Sequence, residues 1–180
     1  LKQIELAPFV AITTAGEAEK PLVDGLMVSH IRYQGFQGNI RATTRPISFD
    51  SAALTQLLAL EPFNTWRTNG GLTVSDNLGS QAIRRFFDLS GEAFNPANVA
   101  RTAFLAGNDL LYLKDFRAAG FPDSYTTIQT TLASFAQKYR EDPVFAQRVD
   151  ESVSRILTTK LRLYGEFSLD AVKADETGMN

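Results

Sequence analysis

The apolar positions of this chain fall into short unbroken runs and longer spaced patterns, and the two kinds alternate. Leu26-Met27-Val28 follows Asp24-Gly25, Leu72-Thr73-Val74 follows Gly70-Gly71, and Leu110-Leu111-Tyr112-Leu113 follows Asn108-Asp109. None alternates cleanly with polar residues, which predicts strands covered on both faces, as in a parallel sheet. Each run ends in a polar cluster: Ser29-His30, Ser75-Asp76-Asn77 and Lys114-Asp115.

Helical patterns separate these runs. Residues 2–15 set Ile4, Phe9 and Ile12 near one face and stop at Gly16, a residue suited to a helix C-terminus. Ser48 is placed to cap a helix carrying Leu54, Leu57 and Leu58, and another helix is expected over 81–87. Asn95 caps and Pro96 opens a segment that Gly107 ends. Helix and strand recur at intervals of about 40 residues, which argues for α/β architecture with a parallel sheet. The last third is helical, with Ile128, Leu132, Phe135, Ala136 and Tyr139 on one face. Asp142-Pro143 opens a final helix that Gly165 closes. Val149, Val153, Ile156 and Leu157 are expected inward there. The flanking Arg148, Arg155, Lys160 and Arg162 read as a solvated face, the later ones suiting the negative end of the helix.

Composition narrows the picture. A length of 180 residues gives one domain of ordinary size. A net charge of -2, from 18 basic and 20 acidic residues spread along the chain, offers no electrostatic case for nucleic acid or an anionic membrane surface. No apolar run approaches the roughly 20 residues needed to span a bilayer. The absence of cysteine excludes disulfides, Cys-zinc sites and thiol nucleophiles, and suits either redox environment. No signal peptide is visible; Leu1 runs straight into a helical pattern, so the natural start is expected elsewhere.

Ligands of parallel α/β folds meet the carboxyl ends of the strands, so the polar clusters carry the candidate chemistry. Asp76 is the sharpest candidate: a nucleophile, a general base, a metal ligand or a helix N-cap. Asn77 could cap equally well. His30 is the only histidine. Its neighbour Ser29 points to the opposite face of a strand, so the two are not a nucleophile and its base. One histidine, no cysteine and no nearby carboxylate cluster make a metal site unexpected. A hydrogen-bonded structural role is the alternative for His30. Gly70-Gly71 lacks a following Lys-Ser/Thr and is not a phosphate loop, and Trp66 reads as packing.

The strings DGLMVSHIRY, RPISFDSAALTQLL, GGLTVSDNLGSQAI and AGNDLLYL resemble, in that order, the later half of the catalytic barrel of family-3 glycoside hydrolases. The β-N-acetylhexosaminidase and β-glucosidase members are the most similar. DPVFAQRVDESVSRILTTKLRLYGEF, residues 142–167, resembles the helix that ends that barrel, and matching segments cover most of 4–113 and 142–167.

The resemblance implies the C-terminal part of a TIM (β/α)8 barrel with about three parallel strands, over residues 1–167, followed by a loose tail at 168–180. It implies retaining hydrolysis of a β-glycoside with Asp76 as nucleophile, His30 lining the sugar pocket, and no metal or organic cofactor. The expected partner is a carbohydrate substrate. Departures are Asn77, where the family commonly has a second aspartate, and Ser80, where a methionine often stands. A whole barrel takes roughly 250 residues. The family's Lys-His sugar motif, its His-Asp acid/base loop and its glutamate-bearing further domain have no counterpart here. The chain therefore reads as a piece of a longer enzyme, inactive alone, with the missing barrel half or a second copy as a possible partner. The rivals are a non-catalytic carbohydrate-binding or scaffold half-barrel and a self-contained flavodoxin-like domain.

Overall fold

A computed structural model describes residues 4–14, 22–34, 36–90, 94–165 and 168. Gly16 and most of the tail expected at 168–180 lie outside these residues. The fold is α/β and mostly helical, with two parallel strands among the described residues.

Strand β1, Gly25–Val28, pairs in parallel with β2, Leu72–Ser75, so that Met27 lies beside Val74 and Val28 beside Ser75. Asp76 extends the ladder by donating its backbone N–H to the Val28 carbonyl (3.1 Å). The third apolar run joins β2 through a single parallel bridge, Val74 to Leu110, and does not become a full strand. The cause is local. Beyond Leu110, the Tyr112 N–H donates to the Ser75 hydroxyl (3.0 Å) rather than to a backbone carbonyl, and the ladder stops there.

The strands are covered fully on one face and only in part on the other, where Leu72 is buried near the start of β2 but the positions toward the carboxyl ends are open. A two-residue period sends Val28, Thr73 and Ser75 into the helical layer, where they are buried. Leu111 and Leu113 pack against the same layer. Met27, Leu110 and Tyr112 point the other way and are 62%, 39% and 45% exposed. Beneath the covered face, Phe49, Leu78, Ile83, Val99, Ala103 and Phe116 form one apolar cluster, and Val28, Ile47, Ala53 and Leu54 a second.

The helices follow their capping signals. The first, α1, spans Ala7–Thr13, shorter than the pattern over 2–15, and leaves Ile4 and Phe9 exposed. Helix α2, Ser51–Leu58, is capped by Asp50, whose side chain accepts from the Ala53 N–H, and not by Ser48. Ser48 is buried in a 3₁₀ turn, Ile47–Phe49, that precedes it. Helix α3, Phe63–Thr68, carries Trp66 into the core, where its indole N–H donates to the Val23 carbonyl (2.9 Å). Helix α4 is Gln81–Phe87, and α5, Pro96–Ala106, starts at Asn95 and stops at Gly107 (φ 129°). Helix α6, Ser124–Glu141, buries Thr127 and Thr131 and leaves Leu132 and Tyr139 exposed, against expectation.

Helix α7, Pro143–Tyr164, begins at the Asp142 cap and ends at Gly165. Its inward stripe is polar. Phe145, Ser152 and Thr159 are buried, with Arg148 and Arg155 between them, whereas Val153 and Leu157 stand exposed. The reason is Asp109, whose side chain is wholly buried. Its carboxylate pairs with Arg67, Arg148 (3.4 Å) and Arg155 (3.3 Å) and accepts from the Thr73 N–H (3.0 Å), the Thr73 hydroxyl (3.1 Å) and the Ser152 hydroxyl (2.8 Å). A buried carboxylate without partners is prohibitive, so the helix turns its cations toward it.

Burial alone would raise the Asp109 pKa; the bonds from Arg67, Thr73 and Ser152 and the Arg67 charge outweigh it and hold the group below the usual carboxylate range. A group depressed in the fold stabilises it above the unfolded value of about 3.9, and that contribution is lost as pH falls through the folded value. In urea titrations, Asp109→Ala is expected to cost about 3–5 kcal/mol, because three guanidiniums lose their carboxylate. Asp109→Asn should also flatten the acid limb of the stability profile below about pH 4; an unchanged limb would place the acid sensitivity elsewhere.

Candidate active site

The carboxyl ends of β1 and β2 lie side by side, and the chain turns there with several polar groups. Asp76 is two residues past Val74, so the strand period directs both to the uncovered face. Asp76 is half-buried, and its Oδ1 accepts from the Asn77 N–H (2.7 Å). The Asn77 side chain accepts from the Gly79 N–H (3.0 Å), closing a tight turn. The cap of α4 is Ser80, whose hydroxyl accepts from the Ile83 N–H (3.4 Å). Neither Asp76 nor Asn77 performs that duty, so the cap reading of both is set aside.

His30 sits behind this rim, on the covered side, with its ring 5.5 Å from that of Phe49. Nε2 lies 3.0 Å from the Asn77 carbonyl and Nδ1 2.7 Å from the Ser48 hydroxyl. A carbonyl only accepts, so Nε2 carries the hydrogen; in the neutral ring Nδ1 then accepts from Ser48. Burial lowers the pKa of His30, while the Asn77 carbonyl and the nearby Asp76 carboxylate partly restore it. The structure thus brings His30 and the Asp76–Asn77 turn together, and both ring nitrogens are engaged within the protein. Ser48 is itself tied down: its carbonyl accepts from the Asn108 amide (2.9 Å), whose other bond goes to the Ala103 carbonyl (2.7 Å).

Two further contacts fix the turn from its far side, and neither carries a signal in the sequence. The Leu78 N–H donates to the Tyr112 carbonyl (2.9 Å), and Gly79 packs directly on the backbone of Lys114 and Asp115. Arg84 donates to the carbonyls of Gly79 (3.0 Å), Asp115 (2.6 Å) and Arg117 (2.8 Å), and its guanidinium lies 4.1 Å from the centre of the Phe94 ring. Arg84 therefore joins the second strand end to the third. Among the described residues, no group of three or more acidic, histidine or cysteine side chains gathers to hold a metal ion. No helix among them is long and apolar enough to cross a membrane.

No family model and no curated protein matches the chain.

A Cβ at position 79 would fall on the Lys114 carbonyl, and backbone cannot swing aside as a side chain can. Gly79→Ala is expected to cost about 1–3 kcal/mol in chemical denaturation, as overpacking does. Nitrogen-15 NMR should find His30 as the Nε2–H tautomer, titrating below the ordinary value of about 6.5. The neutral ring is the one the fold favours, so His30 stabilises the fold above that value and ceases to do so as pH falls through its own pKa. Ser48→Ala should change the Nδ1 shift while leaving the tautomer in place; an Nδ1–H ring would break this geometry.

Proposed function

We propose that the chain is the later half of a (β/α)8 barrel of the family-3 glycoside hydrolase kind, acting on β-linked glycosides by the retaining route. The observation that carries this reading is Asp76: a half-buried carboxylate at the carboxyl end of the middle strand position, directed to the uncovered face and free of capping duty. Sites of barrel enzymes occupy that rim. The chain order also supports it. β1, β2 and Leu110 are neighbours in sequence order, all parallel, with helical connections between them. A flavodoxin-like sheet would cover both faces with helices; the exposed Met27, Leu110 and Tyr112 favour a barrel lining that further segments enclose.

In the proposed reaction, an oxygen of Asp76 bonds to the anomeric carbon as the bond to the leaving oxygen breaks. A general acid, supplied from outside the described residues, protonates that oxygen. Water, deprotonated by the same group, then releases the sugar and returns the Asp76 carboxylate. The resemblance puts His30 in the sugar pocket. With both nitrogens engaged and the ring on the covered side, His30 suits instead the task of holding the Asn77 carbonyl, and through it the backbone of the nucleophile. No cofactor enters this scheme. The carbohydrate substrate is its partner, and the missing barrel half or a second copy is the partner that would enclose the open face.

A protein containing this chain should be trapped by a fluorinated β-glycoside that forms the covalent intermediate quickly and hydrolyses slowly. Peptide mass mapping is expected to place the adduct on Asp76, and Asp76→Ala to lower kcat at least about 10⁴-fold. Sugar binding without turnover would favour the non-catalytic rival. An adduct elsewhere, with Asp76→Ala still active, would remove Asp76 from the mechanism.

A further inference from the structure

The Asp109 cluster holds more positive charge than its carboxylate needs. Arg67, Arg148 and Arg155 all reach Asp109, three cations to one anion. Crowding registers on the middle residue: burial lowers the pKa of Arg148, the Asp109 charge partly restores it, and the charges of Arg67 and Arg155 lower it again. All three arginines line a groove of about 280 Å³ between α2, α3, the end of α5 and α7, with Asn64 and Gly107 also on its wall. Glu151 on the same wall is exposed and is bonded by the Gln147 amide (3.3 Å), so it offsets only part of the surplus.

The three guanidiniums are not equally engaged. Arg67 donates to Asp109, Gly71 and Gly107, and Arg148 to Asp109, Asn108 and Ser152, with its plane 4.8 Å from the centre of the Phe104 ring. Arg155 makes one bond, from Nη1 to Asp109 (3.3 Å). Its Nε and Nη2 have no partner among the described residues, and its side chain is 27% exposed along the groove. A guanidinium presents donors as a planar fork that fits an oxyanion with two adjacent oxygens.

We propose that this groove binds a small oxyanion, inorganic phosphate or the end of a phosphomonoester, on the free edge of Arg155 with Arg67 and Arg148 supplying field. The site lies at the entry end of β2, where Thr73 meets Asp109, and Asp76 stands beyond the far end of the strand, so it is separate from the proposed sugar site. The anion relieves repulsion among the cations and in return ties α7 to α3.

Phosphorus-31 NMR titrations and thermal melts at fixed ionic strength, with phosphate replacing chloride, test this on the whole chain. Millimolar phosphate is expected to bind and raise Tm in the parent. Arg155→Gln should weaken binding about tenfold or more, the scale of one charge-assisted bond, and Arg155→Lys by less. Each variant is compared with its own chloride baseline, so a loss of fold stability does not imitate a loss of binding. Methyl phosphate binding as well as inorganic phosphate would identify the phosphomonoester end as the ligand; preference for inorganic phosphate would identify the free ion. Equal affinities in the parent and Arg155→Gln, or no response distinct from chloride, would overturn the site. Neither result bears on whether Asp76 attacks a sugar.

Discussion

One carboxylate buried at the end of α5 sets the terms for the rest of the molecule. Asp109 cannot be left alone in the interior, and its ionised form is kept by donors from three separate places: α3, β2 and α7. A helix of 22 residues that carries an aliphatic ridge presents arginines and small hydroxyls to the core instead. Val153 and Leu157 are left outside as a consequence. Buried ion pairs rarely add net stability over well-packed apolar groups, but removing one member is severe. The function of such a cluster is then registration: α7 can dock only where its cations meet Asp109, and β2 only where Thr73 does.

A second set of constraints acts at the opposite end of β2. The Asp76–Asn77 turn is held by His30 from behind, by Tyr112 and Lys114 from the side, and by Arg84 across the top of the Gly79 carbonyl. These are mostly backbone acceptors met by side-chain donors, and the two donors, His30 and Arg84, reach the turn from outside the open face. Preorganisation of this kind is what a site for developing charge requires, since donors and carboxylates that need not move cost no reorganisation during reaction.

Much of this was legible beforehand, and the remainder had a physical reason to be hidden. The two strands, the caps at Asn95 and Asp142 and the stops at Gly107 and Gly165 follow from local chemistry, and local chemistry is what a sequence displays. The third strand failed because a single hydroxyl, Ser75, intercepts the Tyr112 N–H, a contact between residues 37 apart. Ser48 looked like a cap because serine caps helices; Asp50, two residues on, took that place and left Ser48 to His30. The arginines of α7 looked like a solvated face because nothing nearby in sequence announces Asp109, some 40 residues away. At the rim, Asp76 and His30 were visible as residue types at strand ends, whereas Arg84 gave no signal: its three acceptors are backbone carbonyls.

The two clusters are linked by β2 itself. Thr73 binds Asp109 at one end and Asp76 begins the rim at the other, three residues on, or about 10 Å of extended chain at 3.3 Å per residue. An extended strand is stiff along its length, and both of its neighbours grip it: β1 through the parallel ladder, Leu110 through the bridge and the Ser75 N–H (2.9 Å). The position of the Asp76 backbone is therefore set from below by a buried ion cluster and from the side by hydrogen-bonded neighbours. A barrel enzyme separates the end that holds the fold from the end that does the chemistry. Under the proposed reading, that division falls on a single strand of four residues, with the buried charge of Asp109 at its entry end and the half-buried carboxylate of Asp76 beyond its exit.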